Sequence, residues 1–145
     1  MLSATTSYAS FTSALDGATN RELRILLVED SARLQSRLTE LLTLSGVMKV
    51  TGVADTENGA MELIEAQTFD VLVVDVELRL GSGINVIRRT RARSELAPAP
   101  LIIVLTNYDL RSVRERALAA GADHFLDKMR EFDQLLPLIS ATRRG

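Results

Sequence analysis

The sequence predicts an α/β fold: a five-stranded parallel sheet with helices on both faces. Short apolar runs, among them "ILLV", "VLVV" and "LIIVL", alternate with segments whose apolar residues follow a helical period. Each crossover is long enough to be helical and right-handed, as parallel strands require. The most continuous run, "DVLVVD", shows no polar alternation, which marks a central strand covered on both sides.

The elements follow in order. "RILLVE" (24–29) reads as the first strand, and a helix through Leu34, Leu38, Leu41 and Leu42 closes on Gly46. "MKVTGVA" (48–54) alternates with polar residues and belongs nearer an edge. A second helix starts near Thr56 and buries Ala60, Leu63 and Ile64. "DVLVVD" (70–75) is the third strand, and a helix using Ile84 and Ile87 begins near Gly83, with "APAP" at 97–100 predicted to stop it. "LIIVLT" (101–106) is the fourth strand, and a short helix over about 109–120 ends at Gly121. "HFLD" (124–127) is the fifth strand, and the last helix uses Leu135, Leu136 and Ile139. Pro137 is tolerable there if residues 131–134 form a preceding turn and the helix starts close to it. Five such units suit a doubly wound, flavodoxin-like sheet of order 2-1-3-4-5.

At 145 residues the chain favours one domain with a core large enough to need no staple. Residues 1–22 read as a Ser/Thr-rich extension, in which Tyr8, Phe11 and Leu15 share a helical face, and residues 23–145 as the domain. The chain has no cysteine, which removes disulfides and thiolate chemistry and fits a reducing cytoplasm. A formal charge of −2 argues against a dedicated nucleic-acid binder. The apolar runs are too short to span a bilayer, so no membrane partner is expected.

Ligands of such sheets bind beyond the carboxyl ends of the strands, at the switch point between strands 1 and 3. The residues falling there are Glu29 and Asp30, then Asp75, then Thr106, then Asp127 with Lys128. Converging carboxylates repel unless a cation joins them, and an all-oxygen set suits Mg²⁺. A lysine and a hydroxyl facing them complete a site for a phosphoryl group, and a carboxylate can itself be the nucleophile.

These residues resemble the receiver domain of two-component response regulators over residues 23 to about 141. The acidic pair in "VED" is Glu29 and Asp30; the acceptor position ending the third strand is Asp75, followed by Gly83. Thr106 in "LTN", Lys128 in "HFLDK" and the aromatic Phe125 complete the pattern, and "GAD" at 121–123 also fits. The resemblance implies that Asp75 takes a phosphoryl group from a histidine kinase or a histidine phosphotransfer protein. It further implies Mg²⁺ bound by Asp30, Asp75 and the main-chain carbonyl of Glu77, with Glu29 acting through water. Lys128 and Thr106 would contact the phosphoryl oxygens, and Phe125 would move with Thr106 so that the fourth helix, fifth strand and fifth helix present a changed surface to a downstream protein. A homodimer is left open.

Three positions depart from the family pattern. Glu29 stands where an aspartate is usual, and Arg79 and Met129 where prolines are usual, which puts the shape of loop 128–131 in question. Glu77 and Tyr108 flank the mouth of the site. His124 reads as a strand-edge residue, and Arg88, Arg89, Arg91 and Arg93 as a solvated helix face. Arg111, Arg114 and Arg116 lie on the signalling helix. Because only "ATRRG" follows the last helix, the sequence is read as a regulator without an attached output module and not as an enzyme. The alternative is a degenerate receiver that binds a partner without phosphorylation. A phosphatase with an aspartate nucleophile and a flavodoxin are the remoter rivals.

Overall fold

A computed structural model describes residues 21–142. The expected docking of Tyr8, Phe11 and Leu15 lies outside them. Five strands, β1 (Leu23–Val28), β2 (Met48–Ala54), β3 (Val71–Val74), β4 (Leu101–Thr106) and β5 (His124–Asp127), form one sheet of order β2-β1-β3-β4-β5. All pairings are parallel. The helices are α1 (Ala32–Leu44), α2 (Glu57–Ala66), α3 (Gly83–Arg91), α4 (Arg111–Ala120) and α5 (Leu135–Thr142), the last preceded by a 3₁₀ turn at Phe132–Gln134. No helix among these residues is long and apolar enough to cross a membrane.

Alternation along the strands splits the core into two layers. Leu26, Val28, Leu72, Val74, Ile102, Val104 and Phe125 pack with α2, α3 and α4 on one face. Ile25, Leu27, Val71, Val73, Ile103, Leu105 and Leu126 pack with α1 and α5 on the other. β3 is central and buried on both sides, as its unbroken apolar run requires.

Several boundaries move from the sequence reading. β1 ends at Val28, one residue before Glu29, whose N–H still bonds Ala54 O at 2.9 Å. Met61 joins Ala60 and Ile64 in the core, while Leu63 is half-buried, because the helical face is set by a start at Glu57 capped by Thr56. Leu136 is likewise only half-buried. The prolines of "APAP" do not stop α3. That helix ends at Arg91, ahead of them, where the guanidinium binds the carbonyls of Pro100 (2.8 Å) and Gly121 (2.9 Å) and the carboxylate of Asp123 (2.9 Å). Arg89, Arg91 and Arg93 are therefore struts more than a solvated face, whereas Arg88 stays exposed and bonds within its own helix. Arg89 reaches Glu57 at 2.9 Å, Arg93 reaches Glu95 at 2.6 Å, and Arg88 reaches Asn85 at 2.6 Å.

Asp70 ties the start of the sheet together. Its carboxylate accepts from the Arg24 N–H at 2.8 Å and from both terminal nitrogens of Arg21 at 2.7 Å. Burial opposes its charge, but these donors outweigh burial and hold the carboxyl below the usual aspartate range. A carboxyl depressed in the fold contributes stability above its unfolded pKa, about 3.9, and loses it as pH falls through the folded value. Asp70→Asn is therefore expected to lower stability at pH 7 by about 1–2 kcal/mol. In denaturant unfolding the difference from the unaltered chain should shrink below about pH 4. An equal difference at pH 7 and pH 3 would contradict this assignment.

Candidate functional site

β1, β3, β4 and β5 end at the same edge of the sheet, and the residues just beyond or at those ends face one another. Asp75 follows β3 directly and is fixed by its N–H bond to Val28 O at 2.9 Å. Its carboxylate is almost fully buried. Oδ1 accepts from the Thr106 hydroxyl at 2.6 Å and more weakly from the Glu77 N–H at 3.3 Å, and Oδ2 accepts from Lys128 Nζ at 2.7 Å.

Lys128 is shared. Its ammonium also lies 2.9 Å from Glu29 Oε1, so it bridges Glu29 and Asp75. Burial disfavours the lysine charge, yet hydrogen bonds to Asp75 and Glu29 outweigh it and raise the pKa above the ordinary lysine value. For Glu29 burial dominates and pushes the carboxyl up, partly offset by Lys128 and by the Ser31 N–H, which bonds Oε2 at 3.0 Å. The Lys128 backbone is anchored independently through its N–H to Thr106 O at 2.9 Å.

Glu29, Asp30 and Asp75 each offer a carboxylate oxygen within 4.8 Å of the others. Asp30 is exposed and the other two are buried, so the cluster opens to solvent on one side. Hard oxygen donors at a partly open site suit Mg²⁺, which keeps several waters and rarely takes an all-protein shell. The donor set therefore fits that ion. The longer Glu29 side chain keeps its charge inside the cluster while reaching Lys128.

The loops that follow Asp75 and Thr106 meet each other. Thr106 Oγ1 accepts from the Tyr108 N–H at 3.2 Å, and the Tyr108 hydroxyl donates to Glu77 Oε2 at 2.8 Å. The pair named from sequence as flanking the site is thus one hydrogen-bonded clasp joining the β3–α3 and β4–α4 loops.

The structure also separates some residues that sequence placed together. Asp127 turns away from the cluster: its Oδ1 accepts from the N–H groups of Met129 (2.7 Å) and Arg130 (3.1 Å). That carboxylate shapes loop 128–131 in place of a proline, leaving Met129 exposed. Phe125 is not part of the polar cluster. It is buried in the α2–α3–α4 layer, with the Arg114 guanidinium 4.9 Å from its ring centroid. Arg79 forms an ion pair with Asp55 at 3.1 Å.

Sequence reasoning missed Glu57. Its carboxylate accepts from Ser82 N (3.1 Å), Asn85 Nδ2 (3.3 Å) and Arg89 Nη1 (2.9 Å). Burial raises its pKa, but Arg89, Ser82 and Asn85 more than compensate and leave it below the usual range. From sequence it was only an acid in the first turn of a helix, a position so common that it carries no signal.

Comparison with known proteins adds to this geometry. The family model of the response regulator receiver domain matches residues 25–140. A cyclic di-GMP phosphodiesterase of Thermotoga maritima is 32% identical over 73% of the chain, which covers 27% of that protein. The transcriptional regulatory protein PdtaR of Mycobacterium tuberculosis is 34% identical over 80% of the chain, covering 54% of its own length. The chain thus spans about half, or less, of these curated relatives. Among solved structures, the receiver domain of a Pseudomonas aeruginosa sensor histidine kinase, with magnesium coordinated in its active-site cleft, superposes with TM-score 0.74 at 27% identity. That superposition covers 86% of this chain and 99% of the other.

Proposed function

The chain belongs to the response regulator receiver domain family, and we propose that it is a two-component phosphorylation switch whose acceptor is Asp75. The observation that carries this reading is one carboxylate, at the end of the central strand, held at once by Thr106 at 2.6 Å and Lys128 at 2.7 Å beside two further carboxylates. A turn-starting or helix-capping aspartate needs none of those partners.

In the reaction proposed, an Asp75 oxygen attacks the phosphorus of a phosphohistidine on a histidine kinase or phosphotransfer protein. The P–O bond forms as the P–N bond breaks, and the imidazole nitrogen leaves with its electron pair. Mg²⁺, held by Asp30, Asp75 and the Glu77 main-chain carbonyl, with Glu29 acting through water, would neutralise charge on the transferring group. Lys128 supplies the second positive charge, and its ties to Asp75 and Glu29 aim it before the donor arrives. Thr106 exchanges its bond to Asp75 for one to a phosphoryl oxygen. That exchange gives the phosphorylated state contacts the free state lacks, which is the requirement for shifting a conformational equilibrium. Phe125, packed beside β4, is the residue proposed to follow Thr106, and the α4–β5–α5 face to carry the output to a downstream protein in the cytoplasm.

The test is intact mass after incubation with acetyl phosphate. One phosphoryl adduct is expected with Mg²⁺ and none with a chelator. Failure of the folded protein to take either phosphate or beryllofluoride would sink the reading and leave a phosphorylation-independent binding module.

A further inference from the structure

The β3–α3 loop, residues 76–82, carries the Glu77 carbonyl and one half of the Glu77–Tyr108 clasp. It contains no proline, and Gly81 sits at φ +87°, so the chain's own covalent geometry does not fix its shape. Something else must. The contacts converge on the first residue of α2. Glu57 donates its N–H to Leu80 O at 3.0 Å, and neighbouring Thr56 forms a bridge with Leu80. The Glu57 carboxylate receives Ser82 N and Asn85 Nδ2 on Oε1 and Arg89 on Oε2. A Cβ on Gly81 would collide with the Glu57 side chain, so the loop lies directly against it.

From Ser82 the restraint passes back to the site in one step. Ser82 pairs with Glu77 in an antiparallel bridge, and the Gly83 N–H bonds Val76 O at 2.8 Å. Glu77 N in turn points at Asp75 Oδ1. A side chain on α2, outside the acidic cluster, therefore sets the pose of the backbone that borders Asp75. The exposed Arg79–Asp55 pair cannot replace it, because an ion pair open to solvent contributes little.

We propose that Glu57 is a positioning residue for divalent-cation binding, acting through Ser82 on the Glu77 backbone. The inference rests on the reading of this cluster as a Mg²⁺ site, and the experiment separates the two. Mg²⁺ affinity of the full chain is measured by titration calorimetry with no phosphodonor present, and adduct formation is followed separately by mass. Glu57→Ala is expected to weaken Mg²⁺ binding roughly tenfold, the scale seen when groups that orient metal ligands are removed. Glu57→Gln keeps an acceptor for the Ser82 N–H and should restore affinity to within roughly threefold of the unaltered chain. Ile139→Ala, which opens the core layer on the other face of the sheet, a cluster that contains no residue of this loop, serves as the control for simple destabilisation. It should lower the melting temperature and leave Mg²⁺ affinity unchanged.

Unaltered affinity in Glu57→Ala, an equal loss in Ile139→Ala, or no Mg²⁺ binding by the unaltered chain would each overturn the proposal. If the unaltered chain binds Mg²⁺ but takes no phosphate, the phospho-acceptor reading fails alone. The role of Glu57 is then still decided by calorimetry.

Discussion

Asp75→Asn is expected to take no phosphoryl group from acetyl phosphate under conditions that label the unaltered chain, while folding normally. The amide is close in shape to the carboxylate, and its oxygen can still accept from Thr106 or Lys128 across 2.6 and 2.7 Å. What it lacks is the anionic oxygen that attacks phosphorus. It also removes one negative charge from a cluster of three carboxylates, two of which share the Lys128 ammonium. Relief of that repulsion offsets the lost charge-assisted bond to Lys128, so the melting temperature should stay within a few degrees, roughly a kilocalorie per mole either way.

Asp30 cannot substitute. Asp30 is exposed, whereas the Thr106 hydroxyl and the Lys128 ammonium are both aimed at Asp75. Transfer to Asp30 would lose the two groups that stabilise charge on the moving phosphoryl, and one such donor is worth about a hundredfold in rate. Intact mass, followed by brief alkali to hydrolyse an acyl phosphate, reads the result. An alkali-labile adduct of undiminished yield in Asp75→Asn would move the acceptor elsewhere and sink the assignment.

Much of this arrangement is legible in the sequence because strand ends in a parallel sheet are collected at one edge by topology alone. Once "DVLVVD" is the central strand, Asp75 must lie near whatever follows strands 1, 4 and 5. Lys128 is readable for that reason. What is not legible depends on where side chains turn after leaving the strand. Asp127 and Lys128 are adjacent in sequence, yet Lys128 enters the cluster and Asp127 turns back to cap Met129 and Arg130. Periodicity cannot distinguish those outcomes, since the loop that decides them is irregular. Glu57 is invisible for a related reason. Its partners, Ser82, Asn85 and Arg89, lie 25 to 32 residues away. Likewise Arg89 and Arg91 of α3 resemble a solvated face because their carboxylate and carbonyl partners belong to other segments.

Gly83→Ala is expected to be the most damaging single-methyl change near the site. The first residue of α3 sits against the main chain of Asp75: a Cβ built there would overlap the Asp75 carbonyl oxygen and lie 2.8 Å from its carbon and 2.9 Å from a Val74 methyl. Those neighbours cannot yield cheaply. Val74 is fully buried in the central strand, and the Asp75 N–H is committed to Val28 O. A surface glycine replaced by alanine at a helix start would ordinarily gain a few tenths of a kilocalorie per mole from propensity. Here the clash dominates, because the obstacle is backbone and not the end of a flexible side chain. Overpacking of this kind costs about 3 kcal/mol, which for a domain of this size corresponds to roughly 10 °C in melting temperature. The structure can relieve the contact only by lifting α3 or displacing Asp75. Either movement also disturbs the alignment of its carboxylate with Thr106 and Lys128. Adduct formation should therefore fall more than about tenfold even well below the melting point, since misplacing a reacting group by about an ångström costs at least that much. A variant that melted within two or three degrees of the unaltered chain and labelled normally would show that the Asp75 backbone is not held as rigidly as these contacts require.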